Sequence, residues 1–91
     1  MFEVVMKRKV EKQADKIPDA EKIKLLALIQ DLKMFGPVLL NWPNYGLLKG
    51  TDTHHCHLSR KWVACWIMTK AGIQLEVTYV GSREGAPYAR H

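Results

Sequence analysis

Three histidines and a cysteine occupy four consecutive positions, His54, His55, Cys56 and His57, inside the stretch THHCHLSRKW. If this stretch is a β-strand, its side chains alternate between two faces, so His55 and His57 share one face while His54 and Cys56 share the other. Imidazoles two residues apart on a strand stand about 7 Å from each other, which is roughly the span of a phosphodiester. Histidine exchanges protons near neutral pH because its unperturbed pKa is about 6.5. The pair suits acid–base chemistry on a phosphodiester, as one possibility among several.

Two other interpretations of these histidines stay open. A metal ion needs three or four converging ligands, and only two of the side chains point together, so a third would come from elsewhere, for example from Cys65. The second closely spaced ligand pair of a zinc site is missing, so we expect no metal and no other cofactor. The simpler alternative is that the histidines are partly exposed strand residues with no chemical task.

The segment VGSREGAPY, residues 80–88, follows the last apolar stretch and carries Arg83 and Tyr88. An arginine is always charged and can hold phosphate oxygens through two parallel hydrogen bonds. A tyrosine can stack on an unpaired base or share a proton. From the residues alone, an exposed arginine and a tyrosine that packs the tail onto the sheet are the favoured interpretation.

The excess of positive charge lies toward the two ends of the sequence. The chain has 14 Lys and Arg against 9 Asp and Glu, a net charge of +5, with +2 in residues 1–18, zero in residues 19–48 and +3 in residues 49–91. Such a balance suits a polyanionic partner, because Lys and Arg displace the counterions of a phosphate backbone. The alternative is an ordinary surface that happens to be basic.

The cysteines and the apolar segments indicate in which cellular compartment the protein is found. Cys56 and Cys65 have no CxxC spacing, and no segment approaches the roughly 18 apolar residues that a membrane span needs. The segment MFEVVMKRKV turns charged after six residues and does not resemble a signal peptide. We therefore expect a cytoplasmic protein with reduced thiols and no membrane partner.

Two helices are predicted after a first strand over residues 2–6. The first helix covers residues 8–16, and the second begins at Asp19, which follows Pro18 and is a candidate cap. An apolar stripe continues the second helix up to Gly36-Pro37, which ends it. The members of that stripe are Leu25, Leu28, Ile29, Leu32 and Phe35.

Strands are predicted again in the second half of the chain, over residues 54–58, 61–68 and 73–80. Residues 38–52 are predicted to be a loop, anchored on apolar surface by Trp42 and Tyr45. The turn at residues 69–72 should have a positive φ at Gly72. The resulting order β-α-α-β-β-β predicts one α+β domain over residues 1–91, with two N-terminal helices packed on a mainly antiparallel sheet.

Four stretches in this order, NWPNYGLLKG, HHCHL, WVACWIM and VTYVGSREGAPY, resemble the RelE/ParE toxin superfamily of bacterial toxin–antitoxin pairs. The resemblance covers essentially the whole chain and is closest to the RelE-like group often labelled cytotoxic translational repressors. It implies a type II toxin with the RelE-like fold that cleaves translated mRNA, usually at the ribosomal A site. It also implies that a cognate antitoxin holds this activity off.

The resemblance carries roles onto four residues. Relatives place basic or histidine side chains on the strand that here reads HHCHL, which implies that His57 is a general acid or base and His55 its counterpart or a phosphate contact. They place an arginine after the YVG-like strand, here Arg83, to stabilise the transition state. They also place a C-terminal tyrosine or histidine, here Tyr88, to stack on or orient the nucleotide. Apolar Val63 stands where some relatives carry an arginine on the middle strand.

An RNA substrate also needs a surface for its backbone. Basic side chains can hold phosphates without reading the base sequence. The candidates are Lys7, Arg8, Lys9, Lys12, Arg60 and Lys61. The expected partners are mRNA, the ribosome and a cognate antitoxin.

Two rival functions remain. The ParE branch of the same superfamily acts by binding DNA gyrase and has no nuclease activity. A plain interaction module, whose exposed tryptophans and tyrosines bind a protein helix, is the other. The histidine pair and Tyr88 favour the nuclease, because a gyrase-binding toxin has little use for two imidazoles beside a phosphate-binding arginine.

Overall fold

A computed structural model describes residues 1–87 of the chain. Its elements are β1 (Glu3–Met6), α1 (Arg8–Asp15), α2 (Asp19–Phe35), β2 (Gly46–Leu47), β3 (His54–His57), β4 (Trp62–Lys70) and β5 (Gln74–Ser82). The predicted α+β order is confirmed, and each predicted element begins and ends within two residues of its expected bounds. The addition is β2, a two-residue strand inside the segment predicted as a loop.

The strands form one five-stranded sheet in the order β1-β5-β4-β3-β2. β1 runs parallel to β5, and the other neighbouring pairs are antiparallel. A parallel pair needs a long crossover, and the two helices begin the path that leads from β1 to the later strands. The turn between β4 and β5 has a φ of 79° at Gly72, as predicted. The mainly antiparallel sheet is therefore confirmed.

β5 is longer than its neighbour β1, and α1 lies along the part of β5 that β1 does not reach. β1 pairs only with residues 74–77 of β5, which leaves the later backbone groups on that edge without a strand neighbour. Gln13 of α1 accepts a hydrogen bond from the Val80 N–H through Oε1, at 3.1 Å. Near the end of β5, Lys16 and Ile17 share a cavity wall with Gly81. α1 thus follows the edge of β5 toward the end of that strand.

The ends of α2 follow the sequence signals with one change. The position before the helix is Pro18, and no side-chain cap hydrogen bond is made there, so the prediction that Asp19 caps the helix was wrong by one residue. Asp19 is the first helical residue, where a negative charge is favourable at a helix N-terminus. The helix ends at Phe35 and is followed by Gly36, whose φ of 85° suits glycine. Neither helix in residues 1–87 is long and apolar enough to cross a bilayer.

The core lies between the helices and one face of the sheet. The leucine and isoleucine side chains of the predicted α2 stripe are buried or half-buried there. Phe35 is 67% exposed, against expectation. The ring beside the end of the helix belongs to Phe2, because a Cβ built on Gly36 would approach its phenyl carbon to 2.8 Å.

The segment between α2 and β3 is anchored by its aromatic residues, as predicted. Trp42 Nε1 donates a hydrogen bond to Asp31 Oδ2 at 2.8 Å. The Tyr45 hydroxyl and His54 Nδ1 share a hydrogen bond of 2.8 Å. These contacts bring the segment alongside β3, where β2 pairs with it.

Trp66 is the side chain on which core stability should depend most. It is fully buried, and its Nε1 donates to the Pro37 carbonyl at 3.0 Å. Trp66→Phe removes the donor and leaves that carbonyl unsatisfied, so we expect the free energy of unfolding to fall by roughly 1–3 kcal/mol in urea denaturation. Trp62→Phe is the control, because Trp62 is half-buried and its indole makes no hydrogen bond within residues 1–87. A loss for Trp66→Phe no larger than for Trp62→Phe would contradict the prediction.

Candidate functional site

β3 separates the histidines onto two faces, as predicted. His54 and Cys56 are buried, while His55 and His57 are half-buried on the opposite face. Cys56 belongs to the core beneath the helices. The His57 N–H donates to the Pro43 carbonyl at 2.8 Å, so the backbone at the end of β3 is held in place. Of the cluster, His55 and His57 alone are on the face away from the helices.

His54 is a packing residue. It is 8% exposed, its ring lies parallel to that of Trp66 within 5°, and the centroids of the two rings are 5.9 Å apart. Burial lowers the pKa of His54, although the charge of Asp52 acts in the opposite direction. The imidazole is therefore held neutral inside the protein, where its Nδ1 meets the Tyr45 hydroxyl.

His55 lies between Gly46 on β2 and Cys65 on β4. A Cβ built on Gly46 would come within 3.3 Å of His55 Nε2, so the glycine leaves room for the ring. Burial lowers the pKa of His55, and the positive charge that His57 can carry lowers it further. The ring is neutral near neutral pH, and a neutral imidazole can accept a proton.

The cysteines are poorly suited to hold a metal ion. Cys65 pairs with His55 across the sheet, but it is fully buried, and burial raises its pKa to about 12. Burial, with a further contribution from Cys65, also raises the pKa of Cys56 to about 12. The thiolate is the form that binds metals. Within residues 1–87 no group of three or more His, Cys, Asp or Glu side chains is placed to hold a metal ion.

A cavity of about 510 Å³ opens where the β3–β4 turn meets the end of β5, and its wall contains Arg60, Lys61, Arg83 and Glu84. We call it the basic cavity. The Arg83 N–H donates to the Lys61 carbonyl at 2.7 Å, which continues the β4–β5 pairing past Ser82. Three exposed cations around one volume attract a polyanion, and a guanidinium can bind phosphate oxygens in pairs.

A tyrosine on β5 shapes the turn that carries Arg83. The Tyr79 hydroxyl donates to the Ser82 carbonyl at 2.8 Å, and the Gly85 N–H donates to Ser82 Oγ at 3.1 Å. A Cβ built on Gly81 would lie 2.7 Å from Tyr79 Oη, and one built on Gly85 would lie 2.9 Å from it. The hydroxyl therefore fits only because both positions are glycine.

His55 and His57, on the face of the sheet away from the helices, lie near the basic cavity but do not form its wall. The register aligns His57 with Val63 and Val63 with Gly81. Neighbouring strands are about 4.8 Å apart, so the backbones of His57 and Gly81 are roughly 10 Å apart. Val63 is fully buried between them, which makes the centre of this row apolar. The structure brings the three cations together and leaves the imidazoles up to two strands away.

The N-terminal basic residues predicted to contact RNA are exposed and lie apart from the basic cavity. They are Lys7, Arg8, Lys9 and Lys12. Lys7 Nζ lies 3.9 Å from a Glu76 carboxylate oxygen. A helix rises about 1.5 Å per residue, so Lys7 is roughly 13 Å from Lys16 at the far end of α1. These cations can contact parts of a long polyanion outside the basic cavity, but they are too far away to contact a phosphate that is bound inside it.

Solved structures share this arrangement of elements, although no sequence profile of a known protein family and no curated protein sequence matches the chain. The YoeB/ParE toxin from Agrobacterium tumefaciens superposes with a TM-score of 0.75 at 14% identity, over 89% of this chain and 98% of its own. The archaeal RelE–RelB complex from Pyrococcus horikoshii gives 0.73 at 18% identity, over 93% and 98%. YafQ from Escherichia coli gives 0.71 at 16% identity, over 91% and 94%. The chain has the RelE/ParE toxin fold.

Two side chains at the basic cavity were not predicted from the sequence. Glu84 lines the basic cavity, and Tyr79 holds the turn beside it. The available signal was the pair of glycines that flanks Ser82-Arg83-Glu84, because such glycines mark close approaches of the backbone. The predicted Tyr88 lies outside the described residues, 1–87.

The buried histidine makes the stability of the fold depend on pH. An unfolded histidine has a pKa of about 6.5, and burial lowers the pKa of His54 in the folded chain, so stability is complete above pH 6.5 and falls as the pH drops through this value. One such group contributes at most about 1.4 kcal/mol per pH unit. Thermal melts between pH 8 and pH 5.5 should show a smaller decrease for His54→Phe than for the wild type. Equal decreases would contradict the assignment.

The glycine beside the Tyr79 hydroxyl can be tested by a double-mutant cycle. Gly85→Ala places a Cβ 2.9 Å from Tyr79 Oη and 3.2 Å from Ser82 Oγ, so we expect it to lower the free energy of unfolding by roughly 1–3 kcal/mol. Tyr79→Phe alone loses the hydrogen bond to the Ser82 carbonyl, but it also removes the atom nearest to the new Cβ, so the double variant should lose less in urea denaturation than the sum of the two single losses. Tyr45→Phe, which removes a hydroxyl elsewhere, should add its own loss in full. Strictly additive losses for the Gly85 and Tyr79 changes would exclude this contact.

Proposed function

We propose that this chain is the toxin of a type II toxin–antitoxin system and acts as a metal-independent endoribonuclease that cleaves mRNA on the ribosome. The observation that carries the proposal is the basic cavity. Arg60, Lys61 and Arg83 surround one volume close to a strand face that presents His55 and His57. Such a combination suits the cleavage of a phosphodiester, and the RelE/ParE fold supports the same assignment.

RNA supplies its own nucleophile for this reaction. The 2′-hydroxyl next to the scissile phosphate attacks phosphorus, the bond to the 5′-oxygen breaks, and a cyclic phosphate and a free 5′-hydroxyl remain. One protein group takes the proton of the 2′-hydroxyl, and another returns a proton to the leaving 5′-oxygen. In-line alignment can contribute up to about 7–11 kcal/mol, and proton transfer typically adds about 10²–10⁴-fold. No metal ion is needed for any of these steps.

The geometry favours particular roles for the proposed residues. Arg83, whose backbone is held by Lys61, would neutralise the phosphorane oxygens, an effect worth roughly 3–4 kcal/mol for a well-aimed donor. His55 has a lowered pKa and would accept a proton rather than act as a cationic phosphate contact. His57 would be its acid–base counterpart. Tyr88 would stack on or orient the nucleotide, as the resemblance implies.

The flanking RNA would be held by cations alone. Arg60 and Lys61 of the basic cavity would contact the phosphates next to the scissile one. The α1 cations would hold more distant phosphates, because they lie along the helix that leads away from the cavity. These contacts confer no base specificity. Binding should therefore weaken steeply as the salt concentration rises.

A cognate antitoxin is the proposed protein partner. Among solved structures with this fold, RelE of Pyrococcus horikoshii is in complex with RelB, and YoeB of Staphylococcus aureus is in complex with YefM. The net charge of +5 would complement an acidic antitoxin segment. Since its proposed target is translated mRNA, we place the toxin in the cytoplasm.

Substitution of the proposed residues tests the function. His57→Ala and Arg83→Ala should each lower RNA cleavage by roughly 10²–10⁴-fold, and both, like Tyr88→Phe, should lose growth arrest on induction. Lys70→Ala is the matched control, because Lys70 is an exposed cation at the opposite end of β4 from the basic cavity. Circular dichroism would confirm that each variant remains folded.

Two results would count against this proposal. If all three variants stopped growth as fast as the wild type, the assigned residues would not carry the activity. If induction halted DNA replication before protein synthesis, a gyrase-binding toxin of the ParE type would be the better description.

A further inference from the structure

Trp62 lies beside the basic cavity and has no part in the chemistry described above. It is the first residue of β4, is half-buried, and packs partly against the core. A second cavity of about 300 Å³ adjoins it, lined by Glu21, Ser59, Arg60, Lys61 and Trp62. We call this the tryptophan cavity. It shares Arg60 and Lys61 with the basic cavity, so the two volumes meet at those side chains.

We propose that the tryptophan cavity binds one unpaired nucleobase of the RNA whose phosphate occupies the basic cavity. This inference rests on the proposed function. A single-stranded nucleotide presents its phosphate and its base to neighbouring surfaces, and the shared cations place a phosphate site next to an indole. Proteins hold unpaired bases by stacking them on aromatic side chains beside a basic groove. The tryptophan cavity supplies both features.

The polar groups of the tryptophan cavity favour a base that carries an amino group. Neither the Glu21 carboxylate nor the Ser59 hydroxyl makes a side-chain hydrogen bond or an ion pair to another residue in the described part of the chain. An ionised carboxylate only accepts hydrogen bonds. Cytosine, adenine and guanine offer an exocyclic amino group with two N–H donors to such an acceptor, whereas uracil has a single ring N–H flanked by two carbonyl oxygens. Glu21 therefore favours a base with an amino group over uracil at this position.

The probes for this site are short single strands that cannot be cleaved. We would use fully 2′-O-methylated oligo(A), oligo(C) and oligo(U) of equal length, together with an abasic oligodeoxynucleotide, and measure equilibrium binding to the full chain at several salt concentrations. Stacking contributes to affinity without releasing counterions, whereas a phosphate contact changes the salt dependence. The salt slope therefore separates the two kinds of contact.

The expected results differ between Trp62, which lines the tryptophan cavity but not the basic cavity, and Lys61, which lines both. Trp62→Leu keeps an apolar side chain against the core but cannot stack, so we expect roughly 5–150-fold weaker binding of oligo(A) with an unchanged salt slope. Trp62→Phe should retain most of the affinity. Lys61→Ala should weaken all four probes alike and reduce the salt slope by about 1. Trp42→Leu is the control for loss of a half-buried tryptophan elsewhere and should bind like the wild type.

Glu21→Gln tests the base preference without touching the core. The wild type should bind oligo(A) and oligo(C) more tightly than oligo(U), and Glu21→Gln should reduce that difference. Asp19→Asn removes the same charge from an exposed position on the same helix and should leave the preference intact. If Trp62→Leu fails to fold in thermal melts, this pair of variants carries the test.

The inference and the function on which it rests fail in different ways. Wild-type protein that cleaves RNA but binds abasic and base-containing strands equally, or a folded Trp62→Leu variant with unchanged affinity, would overturn the base site alone. Wild-type protein that binds none of the probes and cleaves no RNA would overturn the proposed function, and the base site with it.

Discussion

The hydrogen bond from the Arg83 amide to the Lys61 carbonyl, at 2.7 Å, joins the end of β5 to the β3–β4 turn. This bond fixes the segment after Ser82 against the turn, so that cations from two distant parts of the chain share a cavity. Tyr79 holds the same turn through the Ser82 carbonyl. The basic cavity is therefore an extension of the pairing between two nine-residue strands, and its geometry depends on their register.

Placing three cations around one volume opposes folding. Like charges repel, and the repulsion is modest here because all three side chains are exposed to water and to screening ions. Glu84, in the same wall, offsets part of it. A polyanion that enters the cavity would reverse the sign of the interaction. Such a surface does not add to the stability of the free protein, and its charge suits a polyanionic ligand.

Adjacent histidines in one strand serve different purposes because the pleat points them in opposite directions. His54 is enclosed by Tyr45 and Trp66 and belongs to the packing that holds the loop before β3. His55 and His57 face away from the helices and keep partial access to solvent. The same alternation places Cys56 in the core, where its raised pKa of about 12 keeps it a neutral thiol. Residues that look like one chemical site in the sequence are therefore divided between the protein core and the opposite face of the sheet.

Local patterns in the sequence were enough to predict the order of the elements, the glycine-ended helix and the alternation along β3, because each depends on neighbouring residues and their backbone preferences. They could not show that Phe35 would be exposed while Phe2 lies against Gly36, or that a short β2 would form. Nor could they bring Arg83 to Lys61, or place Trp62 and Glu21 in the wall of the tryptophan cavity. Those outcomes depend on which strands become neighbours and in which register, as when β1 pairs with β5 at the far end of the chain. Such long-range pairing is a property of the whole packed sheet, and no short window of residues contains it.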